Sequence, residues 1–280
     1  MATSTNSEVG AVAPLPVVAT LCERELVRFF RQSNRVFGAL GQPIIFWLLF
    51  GAGLSGARIG DDASKSSSLD YAHFFPGTLV MILLFTAIFA TISIIEDRRE
   101  GFLQGVLVAP VPRWSMVFGK ILGGALIAML QGIIFLFLGW LTSAFGWHPV
   151  IQATVGGIIG AILLMFVVSI ALTALGFLIA WRMDSTQGFH AIMSVFLLPM
   201  WLLSGAFFPM DVGGWLGAVI NINPLTYGVV GLRHCLQNGD AAAAHLPSLA
   251  ACWAVSLVFA GITFAAAWWI AGTRSTGDLL

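Results

Sequence analysis

Charge is what this chain has least of. Only 9% of its 280 residues are charged, while 58% are apolar. A soluble domain carries about 25% charged residues, so this composition cannot coat a water-facing surface. The chain reads as an integral membrane protein. Thirteen Lys and Arg balance thirteen Asp and Glu, so no excess charge points to nucleic acid as a partner. Cysteine is scarce too. Cys22, Cys235 and Cys252 form no CxxC pair and have no histidine at ligand spacing. They read as small hydrophobes, with no metal site and no redox chemistry. A nucleotide loop is missing as well. The one Gly-Lys pair, Gly119-Lys120, is followed by Ile121 and lacks the glycine five positions earlier that a Walker A loop needs. An intramembrane serine protease would need Gly-x-Ser-Gly, but Ser204-Gly205 follows Leu202-Leu203. Catalysis by the chain itself is not expected, nor any cofactor in it.

What is present is long apolar runs. A helix needs about 20 apolar residues to cross a hydrocarbon core roughly 30 Å thick. Six segments qualify: 36–54, 74–95, 117–142, 150–180, 189–208 and 249–271. The reading is an all-α integral membrane protein with six transmembrane helices. Residues 209–238 are too apolar for a loop and too broken by Gly and Pro for one span. They read as short re-entrant or interfacial helices, around Trp215–Ile222 and after Pro224. Residues 1–16 read as a disordered tail rather than a signal peptide. The middle of each span lacks Asp, Glu, Lys and Arg, where ion-coupled transporters keep such groups. If the protein pumps, its energy comes from elsewhere. Polar residues such as Thr86, Thr91, Gln131, Ser169, Thr173 and Ser194 either join helices or line a path for an amphiphile. Gly119/Gly123 and Gly156/Gly160 suggest close helix packing.

Orientation follows from the basic residues. Six spans with a cytoplasmic N-terminus put ten Lys and Arg inside, against Arg58, Lys65 and Arg233 outside. Both termini are then cytoplasmic.

Two cytoplasmic elements stand out. In residues 17–35, Arg24, Arg28, Arg31 and Arg35 follow i, i+4, i+7, i+11 spacing, one narrow stripe of a helix. Val18, Cys22, Leu26, Phe29 and Phe30 fall opposite. This predicts an amphipathic interfacial helix with rings inward and guanidinium groups toward phosphates or a protein partner. In residues 96–112, the charges Glu96, Asp97, Arg98, Arg99 and Glu100 precede an apolar run closed by Pro110 and Pro112. That predicts a short helix across the cytoplasmic face, either solvated or a docking element.

Glu96 to Gly105 with Leu107-Val-Ala-Pro-Val111, and Gly119-Lys120 after it, resembles the coupling segment of ABC-2-type exporter permeases. Leu203-Ser-Gly-Ala-Phe-Phe-Pro-Met210, then Trp215, Asn223-Pro-Leu-Thr-Tyr227 and Arg233, resembles the signature before the last span in the daunorubicin-resistance and nodulation-export branch. The resemblance covers residues 17–275 and makes 36–275 the transmembrane domain. It departs at Gln104, where the family often has an acidic residue. The resemblance implies a permease that pairs with itself or a homologue in the bacterial cytoplasmic membrane and carries two separate ATPase subunits, which bind the ATP and Mg. Glu96, Arg98, Arg99, Glu100, Phe102, Leu103 and Leu107 would meet the motor. Phe207, Phe208, Pro209, Asn223, Pro224 and Tyr227 would form an extracellular gate. The implied cargo is a hydrophobic or amphipathic small molecule. A lipid-linked oligo- or polysaccharide is the alternative cargo, and a passive channel or scaffold the alternative class.

Overall fold

A chain in hydrocarbon has no water for its backbone to bond, so its polar groups must be satisfied inside helices. The computed structural model describes residues 13–31, 41, 43–49, 51–52, 63–146, 150–208, 210, 213–237 and 246–273, and every regular element among them is a helix. In chain order these are α1 (Pro14–Phe30), α2 (Ala63–Ala90), α3 (Ile92–Arg99), α4 (Phe102–Val108), α5 (Arg113–Ala144), α6 (Val155–Ala180), α7 (Thr186–Trp201), α8 (Gly214–Ile222), α9 (Pro224–Leu236) and α10 (Leu249–Thr273). A π-turn, Leu202–Ala206, follows α7. Five helical stretches are long and apolar enough to cross a membrane: Tyr71–Arg99, Arg113–Ala144, Val155–Ala180, Thr186–Ala206 and Leu249–Gly272. The pair α8 and α9, bent by 76°, would make a sixth. Residues 41, 43–49 and 51–52 of the first predicted span are helical, and the rest of that span lies outside the described residues.

Several predicted boundaries move. The fourth span starts at Val155, not at 150. Residues 150–154 are not helical, with the amides of Val150 and Ile151 donating to Ser143 Oγ and that of Gln152 to the Leu236 carbonyl. Thr154 caps the new start by accepting from the Gly157 amide. The fifth span starts at Thr186 and gives way at Leu202, because Gly205 takes φ +73°, a left-handed turn no α-helix contains. The single helix predicted over 96–112 is two pieces. Gly101, at φ +77°, breaks the chain between α3 and α4, and Ala109 is extended ahead of Pro110.

α2 is buried nearly all round and forms the centre, whereas α10 is the most open span. On α10, Leu257, Val258, Ile262, Trp268 and Trp269 are exposed, as are Ile133, Ile134 and Phe137 on α5. Lipid rather than water suits such faces. Exposed Trp114 and Trp140 lie near the two ends of α5. Their separation, about 39 Å at 1.5 Å per residue, fits headgroup-level rings on a bilayer about 40–45 Å thick. The polar residues inside mostly satisfy one another or their own helix. Thr86 Oγ1 donates to Gln131 Oε1 across α2 and α5 at 2.7 Å, and Thr173 Oγ1 donates to the Ser169 carbonyl.

The glycine pair in α5 has a clear cause. A Cβ on Gly119 would lie 3.0 Å from Leu21 Cβ, and one on Gly123 would lie 2.8 Å from Glu25 Cβ. The close partner is therefore α1, not another span. Gly156 meets nothing comparable, and Gly160 faces the Cys235 sulfur at 3.3 Å.

Candidate functional site

α1 packs on α5 through Val18, Leu21, Cys22, Glu25 and Phe29. Glu25 is the odd member of that buried stripe, a carboxylate at 4% exposure. Its partner is Lys120 of α5, whose ammonium group donates to Glu25 and also to Asp97 of α3. Asp97 is fully buried and also takes Arg24 in a two-pronged pair, at 2.6 and 2.9 Å, and Arg28 at 2.8 Å. Arg28 reaches Glu96 at 2.8 Å and Glu100 at 3.5 Å. The hydrogen bond to Asp97 holds the Arg24 guanidinium above its ordinary range. Its plane also lies 3.8 Å from the centre of the Phe102 ring. Each buried charge here has an opposite one, the condition under which burial is tolerable.

The arginine stripe therefore turns inward. Arg24 and Arg28 pair with carboxylates of the same chain instead of facing phosphates, and Phe30, predicted inward, is 54% exposed. Arg31 is exposed, and Arg35 lies outside the described residues. The sequence reading missed Glu25 and Lys120 as site residues. The available signal was Glu25 at i+4 from Leu21 and i−4 from Phe29, on the apolar face of a helix.

The next arginines close helix ends. Arg98 donates to the Trp181 and Met183 carbonyls and to Asp184, and Arg99 to the Asp184 carbonyl. Arg113 donates to the Ala271 and Gly272 carbonyls. Unpaired carbonyls at a helix C-terminus carry partial negative charge, which a guanidinium neutralises. These contacts gather the ends of α3, α6 and α10 and the start of α5 on one face. They also tie Arg98 and Arg99 to carbonyls of the chain itself, with Arg99 remaining exposed.

α4 sits on that framework with one side down. Leu103 is 2% exposed in the core, and Phe102 is half-buried under Arg24. Leu103, predicted to fill a partner's groove, is thus already occupied; the Leu107 side chain lies outside the described residues. The outward side presents Gln104, Gly105, Val108 and Pro110, with Val108 79% exposed, and Glu100 at its edge.

The opposite face is built around Asn223. Its Oδ1 caps α9 by accepting from the Leu225 amide, and its Nδ2 donates to the carbonyls of Met200 (2.6 Å) and Leu203 (2.9 Å), where α7 breaks. Pro224 is the first residue of α9, where a missing N–H costs nothing. Phe207 packs on Phe74 and Trp201, Phe208 is partly exposed, and Tyr227 donates to the Asn221 carbonyl. Pro209 lies outside the described residues. Asn223 is a clasp between α7 and the α8–α9 hairpin, 8% exposed. Asn223→Ala should lower the melting temperature of the purified chain by several degrees, and Asn223→Asp should do so nearly as much. Aspartate keeps the cap but turns two donated bonds into repulsion against carbonyls, at about 1–3 kcal/mol. A melting curve unchanged in either variant would contradict the clasp.

No cluster of three or more metal-ligating side chains occurs among the described residues. Compared with known proteins, residues 16–236 match a family profile described as ABC-2 type transporter. The chain is 27% identical over 216 residues to a protein of Cyanophora paradoxa named as a transport permease, ycf38, covering 76% of this chain and 71% of that one. It is 24% identical over 213 residues to the linearmycin resistance permease protein LnrN of Bacillus subtilis strain 168, covering 75% of this chain and 50% of LnrN. A third relative, named as a multidrug ABC transporter permease, YbhR of Escherichia coli strain K12, is 28% identical over 163 residues, 57% of this chain and 42% of its own length.

Proposed function

The chain belongs to the ABC-2 type transporter family, and on that premise we propose that it is the export permease of an ATP-driven pump for hydrophobic or amphipathic small molecules. It is a multi-pass membrane protein of transport-permease type, and the family implies an ABC transporter with an ATPase partner. In our reading the face carrying α1, α4 and the arginine-capped helix ends is cytoplasmic, following the basic-residue asymmetry, and the membrane is the bacterial cytoplasmic one. Two ATPase subunits bind ATP and Mg there, one under each of two permease copies.

The observation that carries this reading is the form of α4. Its buried side is anchored by Leu103 and by Phe102 under Arg24, and its other side offers Gln104, Gly105, Val108 and Pro110 outward. A motor needs a rigid projection, and here Phe102 of the projection sits under Arg24, which the charge cluster joins to Asp97 of α3 and through it to Lys120 of α5. Displacing α4 then displaces three helices together.

α7 offers a surface suited to such a cargo. Only Phe189, Met193, Leu197 and Trp201 of that helix are buried. Its open side mixes Gln187, His190 and Ser194, at i, i+3 and i+7, with Ile192, Val195 and Phe196. His190 lies 5.0 Å from the Phe89 ring. A surface of rings, alkyl groups and a few hydrogen-bonding groups suits an amphiphile, and the names of LnrN and YbhR support a drug-like one. The test is ATP hydrolysis by the reconstituted permease–ATPase complex across a panel of lipophilic drugs and lipid-linked sugars. Stimulation by the drugs is expected. Stimulation by the sugars alone would replace this cargo assignment.

A further inference from the structure

The N-terminal half of α2 contains Pro76, which has no N–H to offer the carbonyl of Ala72 four residues earlier. A carbonyl left without its partner near hydrocarbon must find another donor. The donor comes from α9: Gln237 Nε2, just past the end of that helix, donates to the Ala72 carbonyl. One helical turn before it, Arg233 Nη2 lies 3.5 Å from the carbonyl of His73. The neighbouring carbonyls are served too. Trp47 Nε1 donates to Tyr71 (3.1 Å), Trp201 Nε1 to Gly77 (2.7 Å), and Thr78 Oγ1 to Phe74 (3.0 Å). Every carbonyl from Tyr71 to Phe74, and that of Gly77, thus accepts a side-chain donor. Such a collar occurs where the helix's own ladder is interrupted.

We propose that Gln237 is a positioning residue that supplies to α2, from the α8–α9 hairpin, the bond Pro76 removes, with Arg233 supporting the adjacent His73 carbonyl, so that the hairpin sets the stiffness of this joint in the central helix. While α9 is seated, the turn of α2 around Pro76 is held, and hairpin and helix tilt as one piece. When α9 shifts, the Ala72 carbonyl loses its donor and α2 can bend at the proline. Sharp bends in long helices arise at such residues. The lever is placed where it can act, because α2 is the most buried span and the hairpin's other end is clasped to α7 by Asn223. The inference concerns the permease alone and does not rest on the cargo.

Hydrogen–deuterium exchange of the full chain in lipid nanodiscs tests it, read on peptides covering Pro76–Ile82. Gln237→Leu should speed exchange there roughly fivefold, the factor expected for one lost hydrogen bond. Arg233→Leu should produce a smaller increase. In a Pro76→Ala background, where position 76 regains its N–H, adding Gln237→Leu should change exchange by less than about twofold. A merely structural role for Gln237 would give the same increase in both backgrounds, and that result overturns the proposal. So does unaltered exchange in Gln237→Leu. If Gln237→Leu alone fails to fold, recovery of folded protein in the double variant supports the proposal, and failure of both counts against it.

Discussion

Lys120→Met should be the most damaging single substitution on the charged face. Lys120 is 5% exposed and touches both Glu25 and Asp97. Asp97 would retain Arg24 and Arg28, but Glu25 would retain only Arg24 among the described residues, at 3.6 Å. Removing one partner of a buried pair leaves an uncompensated charge and costs about 3–5 kcal/mol. That is a large fraction of the stability of an ordinary domain. The expected result is a melting temperature lowered by ten degrees or more in mild detergent, with α1 becoming open to trypsin at Arg24 and Arg28. Glu25→Gln combined with Lys120→Met removes both members of the pair and should recover more than half the loss. Full stability in Lys120→Met would mean that the cluster contributes little to seating α1.

Val108→Asp and Leu103→Ala should separate docking from folding, since the two residues sit on opposite sides of α4. Val108 is 79% exposed, so an aspartate there leaves the packing of the described residues intact. At the centre of an interface with the ATPase, the same change should cost about 2 kcal/mol or more, roughly 30-fold in affinity. Leu103 is 2% exposed in the core, so truncating it should cost about 2–5 kcal/mol of stability. Loss of ATPase binding in Leu103→Ala should therefore track loss of folded protein, whereas in Val108→Asp it should occur at an unchanged melting temperature. Pull-down and thermal melting of the same preparations check both. Equal ATPase affinity in Val108→Asp and the parent would remove the outward side of α4 as the contact.

The two outcomes trace what a single sequence reveals. Apolar runs set the spans, because the requirement for about 20 apolar residues is local. The amphipathic character of α1 was legible from its arginine spacing for the same reason. What those arginines touch was not. Asp97 lies 73 residues from Arg24, and Lys120 lies 95 residues from Glu25. Periodicity places a residue on a face but does not say what packs there. Which side of the predicted docking helix faces out was likewise not legible. Its apolar residues were correctly seen as a surface needing cover, but Leu103 is covered by this chain, and Gly101 turns the backbone so that Val108 faces out. The break between α8 and α9 was legible because Gly and Pro punctuate an apolar stretch. Asn223 as the hairpin's clasp was not, because the carbonyls it serves belong to Met200 and Leu203, freed only where the π-turn interrupts α7.

The dependence of this permease on a separate motor is tested most directly by purifying the tagged chain from native membranes in mild detergent and measuring what accompanies it. A nucleotide-binding subunit in one-to-one ratio with the permease, with Mg-dependent ATP hydrolysis that disappears when that subunit is stripped away, is the expected result. Recovery of the chain alone under conditions that preserve its fold, or hydrolysis persisting in the stripped chain, would contradict it.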